Sequence, residues 1–314
     1  VSAVFAYRNP DTRSNENAAM FAGLDDRTQT IQNGGMLLTT GDDTRKLRFA
    51  LTSPADGCYE LNGDLRLLPA QDPKASEETL KAASIPENVL VSDEASILYV
   101  DVKGRWRIPR DGVEWEGDGH PVHERICREV CTERDLFNAG GTFYELPAEN
   151  AGGFAKIRPI STHNLRIYDY ASYRGLLVLS GVKPDAAGEH VVRSEDGKAA
   201  LWVGCVEDLW KLGKARGKGG PWKDSAVKAG EPSDAYLMNG YDKKRVTLSH
   251  TGTETVNFRI EVDPMGEGHW AVYKTFEVKA GAKVEHQFPD AFSASWVRIV
   301  CDQATTATAQ FVYE

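Results

Sequence analysis

The sequence predicts an all-β protein: propeller-type blades, forming a complete or an incomplete propeller, followed by a C-terminal antiparallel β-sandwich. Three observations carry this expectation. Short runs rich in Val, Ile, Leu, Tyr, Phe and Trp recur along the chain, split by Gly, Pro, Asn and Asp. Only Ala75–Ala83 reads as a helix, with Pro86 beyond it as a stop. From Asp242 onward, apolar and polar residues alternate with period two, the mark of strands with one buried face.

Taken in order, the first strand signal is the alternating Leu47, Phe49 and Leu51. Further runs are Ser96–Val102, Thr142–Leu146, Gly175–Val182 and Ala199–Val206. Leu176, Leu177, Val178 and Leu179 do not alternate, so that strand is expected to be covered on both faces, as an inner blade strand is. Inner-strand candidates begin near Ser96, Thr142, Gly175 and Arg245; their spacing is uneven beside the ~40–50-residue period of propeller blades. In the C-terminal part, Val256, Phe258, Ile260 and Val262 alternate with polar residues, as do Ala307, Ala309, Phe311 and Tyr313. Val297, Ile299 and Cys301 alternate with Trp296, Arg298 and Val300. Turn residues separate these strands at Asp263–Gly266 and Lys279–Ala282. The expected domains are 1–241 and 242–314, the boundary following the Gly-, Lys- and Pro-rich stretch Gly213–Pro232.

The net charge of −9 argues against nucleic acid as a partner, because phosphate binding needs a basic footprint. Lys211, Lys214, Arg216, Lys218 and Lys223 form a local basic stretch, either a solvated loop or a site for an anionic sugar such as a uronate. No run approaches the ~20 apolar residues of a membrane helix. Val1–Ala6 lacks a basic leader region, and the chain is read as a processed form or a piece of a longer polypeptide, completed by a further segment or by a second copy. The five cysteines include no CxxC pair. Cys127 and Cys131 fall on one face of a strand, where burial as small apolar residues accounts for them. GxxxxGK[ST], GxSxG and dinucleotide fingerprints are absent from the sequence.

The segments Gly153–Asn164, Tyr168–Gly175 and Gly217–Trp222 resemble pieces of bacterial secreted propeller proteins from polysaccharide-degrading systems. The C-terminal portion, with Trp296–Arg298 and Ala307–Ala309, resembles their accessory sandwich domains. The resemblance covers about two-thirds of the chain and implies an extracellular or periplasmic protein that works on a polysaccharide or oligosaccharide; it transfers no catalytic motif.

The approach to the Leu176–Leu179 strand is dense in groups that suit a sugar: His163, Asn164, Arg166, Tyr168, Asp169, Tyr170, Tyr173 and Arg174. Tyrosine offers a flat apolar ring with a polar tip, and arginine grips a carboxylate through two N–H groups. Hydrolysis needs two carboxylates. Asp169 is the first candidate, His163 an accompanying base, and the second carboxylate comes from Glu145, Asp135, Glu114 or Asp242. Elimination would instead use His163 or Tyr170 as base with Arg174 on a uronate. Analogy with such scaffolds favours hydrolysis. Binding without catalysis would use exposed aromatics such as Trp222, Trp270 or Tyr241 as a platform, and Asn164, Tyr168, Tyr170, Tyr173, Arg174 and Trp222 are the expected substrate contacts. His120 and His123 form a loop cluster near carboxylates, outside the HExxH pattern. Asp93 and Glu94 could offer oxygens to a structural Ca²⁺, and no other cofactor is indicated.

Overall fold

The computed structural model describes residues 35–40, 46–51, 57–83, 90–110, 124–131, 134–163, 165, 167–290 and 292–314. The expected all-β class holds: these residues form strands in several sheets, with a short helix at Ala75–Ala82. That helix carries Glu77 and Glu78 in its first turn and Lys81 in its last, charges that oppose the helix dipole at each end. Pro86, the expected stop, lies outside the described residues. No described helix is long and apolar enough to cross a membrane. The chain divides into two compact units.

The first unit gathers Val1–Glu87, Pro121–Glu145 and His163–Gly213. Gly35–Thr40, Lys46–Leu51, Cys58–Leu61 and Leu67–Pro69 form an antiparallel meander. A second sheet runs in the order Tyr170–Tyr173, Leu176–Leu179, Ala200–Gly204, Val191–Arg193. Cys127–Cys131 pairs with Arg134–Ala139 in a third. The meander and the second sheet share one core, in which Leu37, Leu47, Phe49 and Leu61 meet Tyr173, Val178 and Leu201. Leu177, Val178 and Leu179 are all fully buried, so the non-alternating run is covered on both faces.

The second unit gathers Asn88–His120, Leu146–Thr162 and Lys214–Glu314. Its larger sheet has seven strands in the order Ala271–Val278, Val256–Asp263, Trp296–Cys301, Ala235–Leu237, Arg105–Ile108, Ile97–Val100, Leu90–Ser92. Ala235–Leu237 runs parallel to Arg105–Ile108. A second sheet has the order Gly217–Val227, Thr305–Tyr313, Lys244–His250, Lys283–Gln287. The two sheets meet where the Tyr236 ring packs 5.3 Å from Phe311 and 5.8 Å from Tyr313.

Two sequence expectations are therefore revised. The units do not divide at Asp242: Ile97–Val100, expected as an inner blade strand, joins the same sheet as Val256–Asp263 and Trp296–Cys301. The Gly213–Pro232 stretch, whose basic part is offered as a solvated loop, contains the eleven-residue strand Gly217–Val227. Its glycines serve close packing: a Cβ on Gly220 would lie 1.9 Å from the Ala309 carbonyl oxygen, while the Gly220 carbonyl accepts a 2.7 Å hydrogen bond from Ser96 Oγ. Among the described residues no sheet closes on itself.

Candidate functional site

The residues singled out in the sequence lie mostly inside the first unit. Asp169 is fully buried. Its Oδ1 accepts hydrogen bonds from Arg125 Nε at 2.6 Å and the Tyr170 amide at 2.8 Å. Its Oδ2 accepts from the Leu37 amide at 2.9 Å and Arg125 Nη2 at 3.2 Å, and Arg128 Nη1 stands 3.3 Å from Oδ1. This is a buried charge held by a complete set of donors, which burial demands. The Tyr170 hydroxyl faces the Leu136 carbonyl at 2.6 Å and the Ile126 carbonyl at 2.9 Å. Burial pushes this phenol well above its ordinary pKa, so it stays protonated, which disfavours a role as base.

His163 is also buried. The Leu165 amide donates to its Nδ1 at 2.9 Å, which leaves Nε2 as the protonated nitrogen facing Asn138 Oδ1 at 3.0 Å. Its ring packs 4.6 Å from Phe143, and Phe143 lies 6.0 Å from Tyr170. Glu145 is buried against Arg134. Tyr168 and Tyr173 are buried, while Arg174 sits at a hairpin tip with φ +52°. The structure thus brings Asp169, Tyr170 and His163 together as interior groups and leaves Arg174 apart from them. Asn164, Arg166, Glu114, His120 and His123 lie outside the described residues.

Other expected positions are also taken up by protein contacts. Trp222 is only 8% exposed and Tyr241 only 3%, so neither offers an open platform. Lys211 pairs with Asp208 and Lys214 with Asp242. The Asp93 carboxylate accepts from Arg107 and from the Ala95 and Ser96 amides. Among the described residues, no group of three or more His, Cys, Asp or Glu is placed to hold a metal ion.

The second unit contains a groove of about 570 Å³. Strand alternation explains its lining. Tyr236 points to the smaller sheet, so Ala235 points the opposite way, and its partner Trp106 with it. Tyr236 pairs with Val297, which puts the adjacent Arg298 on that same outer face, and Arg298 pairs with Glu261. Trp296 lies two residues before Arg298 on the same face. The floor is aromatic: Trp106 and Trp296 stand 6.4 Å apart, and Phe154 packs beside both. Trp296 Nε1 donates to the Ala155 carbonyl at 2.8 Å, fixing its ring.

One wall is the turn from Asp263 to Trp270. Asp263 Oδ1 accepts from the Met265 and Gly266 amides, and Oδ2 from the Gly268 amide at 2.7 Å. Gly266 has φ +67°, and a Cβ there would come within 2.5 Å of the Ala155 carbonyl oxygen. The turn delivers Trp270, half-buried, under the Arg298 guanidinium, 4.3 Å above the ring. Arg298 Nε donates to Glu261 Oε2 at 2.7 Å, and Arg259 Nε donates to Oε1 at 2.7 Å. At the rim, Arg105 and Arg107 both donate to Asp234, while Lys156 reaches Glu267 at 3.3 Å.

Burial by itself would raise the Glu261 carboxyl, but the hydrogen bonds from Arg298 and Arg259 outweigh it and hold the group below its ordinary 4.5. A carboxyl depressed in the folded state stabilises above its unfolded pKa and loses that contribution as pH falls through the folded value. The melting temperature is therefore expected to drop as pH is lowered below about 4.5, with Glu261→Gln showing a shallower drop. Identical slopes for the two proteins would show that this pair carries no pH dependence.

Sequence reasoning named Trp270 as a platform candidate but not the rest of this groove, although a further signal was available. Trp296 and Arg298 occupy the face of their strand that alternation marks as polar, and Trp106 lies between Arg105 and Arg107. A tryptophan on a polar face is either a contact for another segment or a surface for a ligand.

No family model matches the chain, and no curated protein matches it. Among solved structures, an exo-β-1,3-galactanase from Phanerochaete chrysosporium with galactose aligns over 93% of this chain and 99% of its own at 9% identity, with a TM-score of 0.19. A glycoside hydrolase family 43 arabinoxylan arabinofuranohydrolase from Bacillus subtilis, in complex with cellotetraose, aligns over 93% and 96% at 8% identity, also at 0.19. A GH32 β-fructofuranosidase from Bombyx mori aligns over 91% and 80% at 10% identity and 0.14. Overlaps this poor carry no argument about shared fold or chemistry.

Proposed function

We propose that this chain is a carbohydrate-active protein that holds a saccharide in the groove of its second unit. The observation that carries the reading is the half-buried Trp270 in the groove wall, supported by the buried Trp106 and Trp296 beneath the groove, with polar groups at the rim. Sugar rings present apolar C–H faces to aromatic rings and hydroxyls to polar neighbours, and this lining offers both. The sandwich arrangement expected from the sequence belongs with the proposal, supported by the Tyr236–Phe311 contact between the two sheets. The four-stranded antiparallel meander of the first unit is compatible with a blade.

A second reading is hydrolysis at the same groove. Asp234 and Glu267 both line it, and two carboxylates are what glycosidic cleavage requires. Asp234 receives donors from two arginines, while Glu267 is exposed and pairs with Lys156.

The test is titration of the protein with neutral and acidic oligosaccharides, read by tryptophan fluorescence and followed by product analysis. Saturable quenching is the expected result. New reducing ends would establish cleavage, and unsaturated products would establish elimination. A flat response to the whole panel would end the carbohydrate reading.

A further inference from the structure

Resting on the saccharide reading of this groove, we infer that its ligand carries an anionic substituent, a carboxylate or a sulfate, received by the Nη edge of Arg298. Two observations support this. The first is local charge. Arg259 and Arg298 share the single carboxylate of Glu261, so guanidiniums outnumber carboxylates in that three-residue cluster. Of the other ionic groups near the groove, Arg105 and Arg107 face Asp234 and Asp93, Lys103 faces Glu149, Lys156 faces Glu267, and Asp263 contributes a further carboxylate. Asp263 is buried, with its oxygens occupied by backbone amides.

The second observation is orientation. Arg298 spends its Nε on Glu261, and its plane lies over Trp270. Neither Nη atom has a hydrogen-bond partner among the described residues. The guanidinium of this groove-lining arginine is therefore fixed by two contacts, and an arginine fixed in this way loses little side-chain entropy on binding. A planar carboxylate or a sulfate meets the Nη edge through two parallel N–H···O bonds. The ring of the same sugar then lies beside Trp270.

The experiment compares four probes by calorimetric titration: a tetragalacturonate, its fully methyl-esterified form, a neutral galactotetraose and a sulfated galacto-oligosaccharide. Wild-type protein is expected to bind at least one charged probe about tenfold or more tightly than the ester and the neutral probe. Which charged probe wins separates carboxylate from sulfate. Arg298→Gln is expected to bring that probe down to the affinity of the neutral ones, while Arg298→Lys keeps part of the preference. Equal affinity of wild type for charged and uncharged probes overturns the inference and leaves the saccharide reading standing. Equal loss for charged and neutral probes in Arg298→Gln also overturns it, since that is the signature of a collapsed platform. Failure of all four probes removes both readings. The comparison of acid with ester needs no variant, so poor folding of either substitution does not block the result.

Discussion

Asp169→Ala is expected to destabilise the first unit by about 3–5 kcal/mol, the cost of leaving a buried cation without its partner. The carboxylate has no solvent exposure and accepts from Arg125, the Leu37 amide and the Tyr170 amide. Its removal strands the Arg125 guanidinium, itself buried, and two backbone donors. Asp169→Asn keeps the shape but loses the charge and part of the acceptor capacity, so a smaller loss is expected. Urea unfolding gives the midpoint. Amide exchange in Gly35–Thr40 and Tyr170–Tyr173, the strands tied by this carboxylate, shows whether the opening is local to them. An unchanged midpoint, accompanied by lost turnover on a glycan, would return Asp169 to a chemical role.

Trp270→Ala is expected to weaken saccharide binding by about 2 kcal/mol, close to thirtyfold, while stability changes by less than about 1 kcal/mol. The asymmetry follows from position. Trp270 is half-buried, and its described ring contact is the guanidinium of Arg298, a contact of roughly 0.5–1 kcal/mol at a partly exposed site. Removing it takes away the ligand surface without opening the core. Trp296 offers the contrast, since it is 2% exposed and bonded to Ala155. Fluorescence titration and thermal melting of Trp270→Ala separate the two effects. Undiminished affinity would move the sugar surface elsewhere.

Local pattern was enough for the elements whose signal is internal to them. Alternation along Ala307, Ala309, Phe311 and Tyr313 matches the buried positions of Thr305–Tyr313 one for one. The helix at Ala75–Ala82 and the doubly covered Leu177–Leu179 were equally legible. The strand Gly217–Val227 was not, because its glycines and lysines have low strand propensity and only pairing with Thr305–Tyr313 holds them extended.

The polar residues around Asp169 show a different limit. A ligand loop and a satisfied interior network use the same residue types at the same density. Arg125 lies 44 residues before Asp169 and the Leu37 amide lies 132 residues before it, so nothing in the local sequence announces either partner. The groove is a stronger case. Trp106, Ala155, Asp234, Trp270 and Arg298 are brought to one place by the parallel pairing of Ala235–Leu237 with Arg105–Ile108 and by the Asp263 turn.

The sequence by itself determined the class of this protein, all-β, and which residues are buried along strands with clear alternation such as Thr305–Tyr313, because side-chain direction repeats every two residues whatever the strand pairs with. Only the tertiary structure decided which carboxylate is sealed and which tryptophan is open. Those properties depend on partners distant in the chain, and the energy of a buried charge is set by what surrounds it.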